Sequence, residues 1–275
     1  MHVKSHFADR TMRLFKVPAS PFALRRWLLA LLCLLALAAQ AQTDPLPSWN
    51  EGAAKARILA FVAAVTEPGG KEYVAIVTGD HYRMGKNAAD LLAQAIGETG
   101  TYGFIQLDVP FYNSNNREKG FLAEMAQAHP GLKNVAWAGF TADTTVGPDT
   151  DAMLLQNPDL NGIYVSYSGG PATAVLASLA SASNTTTKVV THDLDAANDV
   201  IMATAGSNYA GTAIEHTFDE GANTVKMAAL SRCGVEVPPF VVVPAMAVNR
   251  DNLAQAWQEA FHADPPAEVT AALAK

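Results

Sequence analysis

The residues with chemistry to offer gather behind two apolar runs. Phe104–Leu107 is followed by Asp108–Asn116, a stretch of aromatic and amide side chains, and Lys188–His192 is followed by Asp193. If both runs are buried parallel strands, these residues lie in the crevice outside the carboxyl ends of an open α/β sheet, where small molecules bind. Phe111, Tyr112, Asn113 and Asn115 then sit at a small-molecule site. Phe111 and Tyr112 either stack on a ligand ring or pack the lobe. Asp193 is either a ligand carboxylate or the N-cap of a helix over Asp195–Ala203, and its crevice position favours the ligand. Arg117 braces a helix start or pairs with a neighbouring carboxylate. His192 and His216 flank strand ends without a further ligand at metal spacing, which makes them structural. Ser166-Tyr167-Ser168-Gly169-Gly170 fails the Gly-x-Ser-x-Gly spacing of a nucleophile elbow, and its glycines instead lead into a helix opening at Pro171. Glu118–Lys119 and Asp219–Glu220 read as solvated helix faces and first-turn carboxylates.

Positioning these residues requires a βα alternation. The spacing predicts strands at Tyr73–Thr78, Phe104–Leu107, Val135–Phe140, Gly162–Ser166, Lys188–His192, Ala213–His216 and Phe240–Val243. Helices are predicted at Lys86–Ile96, Arg117–His129, Thr150–Asn157, Pro171–Ala182, Asp195–Ala203, Asp219–Cys233 and Leu253–His262. Gly79–Gly85 reads as a polar turn, and the tail from Ala263 as peripheral. An amphipathic helix is expected within Thr43–Val65, ended by Glu67-Pro-Gly-Gly70.

The chain has 275 residues, 49% hydrophobic and 16% charged, ordinary for a globular α/β protein. Its first 41 residues read as a separate segment: Arg25-Arg26, the apolar run Trp27–Ala39 and Ala39-Gln40-Ala41 form an export signal with cleavage after Ala41. The 13-residue apolar run falls short of the roughly 20 that span a bilayer. The surroundings of Arg25-Arg26 match the twin-arginine motif poorly, so the general secretory route is expected. The signal holds six of the 19 basic and one of the 26 acidic residues, leaving 13 against 25, a net charge of −12. That surface excludes a nucleic-acid binder, which needs Lys and Arg for phosphates. Cys33 lies in the signal, so only Cys233 remains and reads as inert packing.

Five patterns carry a family resemblance. They are GDHYRMGKNAADLLAQAIGETG from Gly79; NSNNREKGFLAEMAQAHPGL with Arg117, Gly120 and Phe121; QNPDLNGIYVSYSGGPATAVLASL; VVTHDLD with Asp193; and HTFDEGANTVKMAAL. In this order, over residues 73–252, the chain resembles a type I periplasmic sugar-binding protein of the ribose-binding kind, a component of ABC importers. The resemblance implies an α/β fold with a parallel three-layer αβα sheet. It implies two lobes joined by hinge strands that close on a sugar without catalysis or cofactor, and a membrane permease as partner. Sugar hydroxyls both donate and accept, so such sites use Asp, Asn, Arg and Gln, with aromatics against the ring. Carried over, the second-lobe ligand positions fall on Asn115, Tyr167 and Asp193, and the hinge position on Glu215, or on His216 with one gap. Phe111 and Arg117 complete the expected ligand-binding set.

Two departures accompany it. The family normally builds most of its first lobe from roughly 100 residues before the first crossover. Here the arm and helix of residues 42–72 precede it, so the first lobe is expected to be incomplete, the gene a fusion or fragment, and residues 253–275 a closing helix and tail. The arm, TDPLPSWN and its helix, resembles the leader of secreted haloacid-dehalogenase-type phosphatases, which gives an enzyme as the alternative. Their Asp-x-Asp-Gly-Thr motif is absent, and YVAIVTGDH stands in its place.

Overall fold

The computed structural model describes residues 52–66 and 73–275. The export signal read in residues 1–41 and the Pro-punctuated arm lie outside them. The chain divides into two units, with the boundary between Glu72 and Tyr73. The first contains helix α1, Ala53–Thr66, where the apolar spacing predicts a helix. Among the described residues no helix is long and apolar enough to cross a membrane.

The second unit alternates as the sequence suggests: β1 (Ile76–Gly79), α2 (His81–Ile96), β2 (Gly100–Leu107), α3 (Tyr112–Gln127), β3 (Leu132–Phe140), a 3₁₀ turn (Asp143–Thr145), α4 (Val146–Gln156), β4 (Gly162–Val165), α5 (Gly170–Ser181), β5 (Lys188–His192), α6 (Ala196–Ala203), β6 (Tyr209–Glu215), α7 (Thr217–Arg232), β7 (Phe240–Val243), β8 (Ala245–Val248), α8 (Leu253–Phe261) and α9 (Ala267–Leu273). Six strands form one sheet in the order β3-β2-β4-β5-β6-β8. All its pairings are parallel except β6 with β8, where Thr212 faces Val248 and Glu215 faces Ala245. A separate two-stranded sheet pairs β1 and β7 in parallel.

Alternate residues of the central strands supply the two faces of the six-stranded sheet, so these strands read as unbroken apolar runs. Tyr102, Phe104, Tyr164 and Val190 pack with Met84 and Leu92 of α2 and Phe121 of α3. Ile105, Ile163, Val165 and Val189 pack on the other side with Met153, Leu179, Met202, Leu253 and Val269. The result is three layers, helix, sheet and helix. Phe104 stacks on Tyr164 with centroids 4.6 Å apart, and Phe121 lies 4.2 Å from the same ring.

Several boundaries differ from the sequence expectation. The expected turn Gly79–Gly85 is mostly helix: Asp80 caps α2 by accepting from the Arg83 N–H at 2.9 Å, so the helix opens at His81. The amide-rich stretch after Phe111 is also helix. Asn and Ser favour loops by competing for the backbone, but here the Asn116 amide bonds back to the Tyr112 carbonyl at 2.8 Å within α3. Strand β8 was not anticipated, since AMAV is short and offers no alternation. The tail from Ala263 is not peripheral, because Val269 is fully buried in α9 and Arg250 donates to the Leu273 carbonyl at 3.1 Å. Helices α2 and α3 cross at Gly85 and Gly120, where an added Cβ would collide with the Arg117 and Tyr82 carbonyl oxygens respectively.

Candidate functional site

Parallel order brings the carboxyl ends of β2, β4, β5 and β6 to one edge of the sheet. Leu107 ends β2, Tyr167 follows β4, Asp193 follows β5, and Glu215 ends β6. With Val109, Phe111, Asn113, Ser114 and Arg117 they line a cleft of about 430 Å³. Helix α3 begins in the cleft wall, which carries Arg117 to its floor.

Arg117 is the centre of the arrangement. Its side chain is 5% exposed, and Nη1 donates to Asp193 Oδ2 at 2.7 Å. Nη2 lies 3.6 Å from Glu215 Oε2, an ion pair too long for a hydrogen bond. Asp193 is 41% exposed, so its carboxylate is held from below and open to the cleft above. Its φ of 71° places it in the left-handed region, a conformation Asp tolerates better than most residues and one found at sites that must aim a side chain. The cap of α6 is Asp195, which accepts from the Asn198 N–H, so Asp193 is not the N-cap.

The walls combine apolar surface with fixed polar groups. Phe111 is the exposed residue that precedes α3, and Tyr167 donates its hydroxyl to Asp143 at 2.8 Å; burial, then that bond, pushes the Tyr167 phenol up to about 12. Glu118 is buried, not solvated as its neighbour Lys119 is. Its carboxylate accepts from the Leu107 N–H at 3.0 Å and from the Ser166 hydroxyl, tying the end of β2 to the end of β4, and burial raises its pKa. Beneath lies His192, fully buried against Tyr164, the two joined by a 3.0 Å hydrogen bond; burial, then Arg117, holds it neutral. Its structural reading stands.

Two groups that sequence reasoning missed stand behind Glu215. His81, at the start of α2, approaches Glu215 with Nδ1 3.6 Å from Oε2, and burial followed by the Arg117 charge lowers its pKa to about 4. Glu220, in the first turn of α7, is not a solvated helix face. It stands beside Glu215, and burial, then the Glu215 charge, raises it to about 7. Burial also raises Glu215, against the pull of Arg117. The first-turn position of Glu220 was legible, but its convergence on a strand end was not.

Of the expected ligand positions, Phe111, Arg117, Tyr167, Asp193 and Glu215 meet in this cleft. Asn115 does not line it; its helix neighbours Asn113 and Ser114 do, because the helix begins five residues before Arg117 and turns Asn115 aside. His216 also stays outside, as the residue preceding α7, with Nδ1 3.9 Å from Asp219, so of the two alternatives Glu215 is the one that lines the cleft. Among the described residues no three His, Cys, Asp or Glu side chains form a group suited to a metal ion.

The profile of the periplasmic binding protein domain matches residues 47–234, more than half of the sequence. The chain belongs to this family. No curated protein matches the sequence. Among solved structures, a carbohydrate transporter solute-binding protein from Agrobacterium radiobacter, in complex with D-arabinose, is 25% identical with a TM-score of 0.62, covering 70% of this chain and 66% of that one. An ABC transporter solute-binding protein from Agrobacterium vitis, bound with α-D-tagatopyranose, is 22% identical with a TM-score of 0.60, covering 68% and 62%. GanP, a glucose-galactose binding protein from Geobacillus stearothermophilus, is 21% identical with a TM-score of 0.60, covering 68% and 66%. The chain thus spans less than two thirds of the length of each of these three. The type I periplasmic-binding-protein fold is the one the sequence predicts, and these structures lend the phosphatase reading no support.

Proposed function

We propose that the chain is an exported solute-binding protein of an ABC-type importer, holding a sugar or similar small polar ligand in the cleft without catalysis and passing it to a membrane permease. One observation carries the reading: the Arg117–Asp193 pair fixes a half-exposed carboxylate at the carboxyl edge of the sheet, beneath Phe111 and Tyr167. A carboxylate so held accepts two hydroxyl protons in fixed directions, while aromatic and aliphatic walls take the C–H face of a ring. Family membership and the sugars named for the matched structures support the ligand class. The export signal read in residues 1–41 supports a periplasmic location, and the permease follows from the importer context.

The test is a thermal-shift screen of the purified secreted chain against pentoses, hexoses, polyols and phosphate esters. Native-state binding raises the melting temperature by mass action, so one sugar is expected to raise it and Asp193→Ala to abolish the shift. A cooperative melt unmoved by every compound overturns the reading, as does phosphate-ester turnover abolished by Asp80→Asn.

A further inference from the structure

Parallel sheets are ordinarily covered on both faces, and the two-stranded sheet of β1 and β7 is covered on one. Its register sets Ile76 opposite Phe240 and Thr78 opposite Val242, so these four side chains share one face, while Val77, Gly79, Val241 and Val243 share the other. Helix α7 lies against the second face: a Cβ on Gly79 would come 2.7 Å from Glu220 of α7, and Val243 is buried. The first face is bare, with Ile76, Phe240 and Val242 each between 43% and 49% exposed. Among the described residues both outer edges of this sheet are unpaired as well.

The bare face continues beyond the strands. Thr78, Phe240 and Val242 line a hollow of about 150 Å³ together with Tyr82 and Tyr112, from the first turns of α2 and α3. These two tyrosines are 42% and 61% exposed. Phe111, the neighbour of Tyr112 in the chain, lines the cleft, so the apolar surface runs to the cleft's rim. Single exposed apolar side chains are normal, whereas five on one surface mark an interaction site. At about 150–250 Å² for a large side chain, the five bare roughly 400–600 Å² at half exposure. A stable interface takes about 800 Å² from each partner, a little over half of it apolar, or about 450–500 Å².

We propose that a second copy of this chain docks here about a two-fold axis, bare face on bare face, so that each two-stranded sheet becomes the covering layer of the other. A two-fold interface requires a patch that complements itself, and a neutral apolar sheet face does so, since two such faces stack about 10 Å apart. Charge selects the same partner. In a chain whose acidic residues outnumber its basic ones, 26 against 19, an identical copy is repelled over most of the surface. Strands β1 and β7 carry no ionisable side chain, and the carboxylate beside them, Asp80, is already engaged as the cap of α2. Because Tyr112 belongs to the face, the docked copy reaches the rim of the cleft at Phe111.

The experiment is sedimentation velocity of the purified secreted chain from about 1 to 100 µM, where the upper part of the range is expected to show a dimer. Phe240→Glu sets a carboxylate on the bare face twice per dimer and should weaken association at least about hundredfold. Tyr112→Glu should do the same, and it stands in for Phe240→Glu should that variant not melt cooperatively, because a carboxylate suits the first position of α3. Trp137→Glu on the edge strand β3 and Val225→Glu on α7 change apolar residues that are just as exposed elsewhere, and should leave the dimer intact. A chain that is monomeric throughout the range overturns the dimer, whichever other part of the chain or different protein then covers the face. So does a dimer that survives in folded Phe240→Glu or Tyr112→Glu, or one that Trp137→Glu or Val225→Glu dissolves while still folded. Each of these outcomes leaves the sugar site standing, since the thermal-shift screen decides that separately.

Discussion

Arg117 and Asp193 meet at 2.7 Å with only the carboxylate open to the cleft, so one residue is structural support and the other a presented group. Asn tolerates the left-handed backbone that Asp193 adopts, whereas a β-branched residue does not. Asp193→Asn should therefore melt near the parent yet bind ligand more weakly. Asp193→Val should lose binding and in addition roughly 1–3 kcal/mol of stability to backbone strain. Denaturant titration of the two variants separates the effects, and equal stabilities would remove the strain argument.

Gly85 and Gly120 make a second prediction. Each faces a backbone carbonyl of the opposing helix, which cannot swing aside as a side-chain tip can. Gly120→Ala should force α2 and α3 apart and cost at least about 1–3 kcal/mol, although alanine is the better helix former. Gly221, in α7 with nothing within 4 Å of its added Cβ, is the control, and Gly221→Ala should stabilise slightly. Chemical denaturation of both variants checks the contrast.

The same contrast between local and distant information explains what the sequence made legible. The apolar runs at Phe104, Ile163 and Val189 have no polar alternation to confuse them, so the parallel sheet and the crevice at its edge followed directly, and with them Phe111 and Asp193, whereas Tyr167 came from the family resemblance. Helix starts were harder. Asp80 as a cap and NSNN as helix each turn on one hydrogen bond between a side chain and the backbone, and residues that favour caps and loops looked alike in both places. Glu118, Glu220 and His81 escaped for another reason: as single polar residues on helices they carry a surface signature, and only the crossing of α2, α3 and α7 with strand ends buries them.

The C-terminal helix yields a third prediction. Val269 and Ala272 are buried with Met202 and Ala203 of α6, and Arg250 spans from the Ala203 carbonyl to the Leu273 carbonyl. Ending the chain before Ala267 should expose that part of the core and leave the Arg250 Nη2 donor without the Leu273 carbonyl. A lower melting temperature and binding of a hydrophobic dye are expected, and an unchanged melt would return the tail to the periphery.

Asp199 gives a pH dependence whose sign can be worked out. It is fully buried in α6, accepts from the Trp257 indole at 3.1 Å through Oδ2, and has no partner at Oδ1. Burial raises its pKa from 3.8 to about 7, so over that interval the folded chain binds a proton that the unfolded chain has released. Stability from this group is complete below the unfolded value and is lost as pH rises through about 7, the direction also set by Glu220. Asp199→Asn keeps an acceptor for Trp257 and cannot ionise. Melting temperatures followed from mildly acidic to mildly alkaline pH should fall for the parent and fall less for Asp199→Asn, with Glu220→Gln removing a further part of the slope. Parallel curves for parent and Asp199→Asn would show that the buried carboxyl does not ionise on folding's pH scale, and the orphaned Oδ1 would then mark a permanently protonated acid.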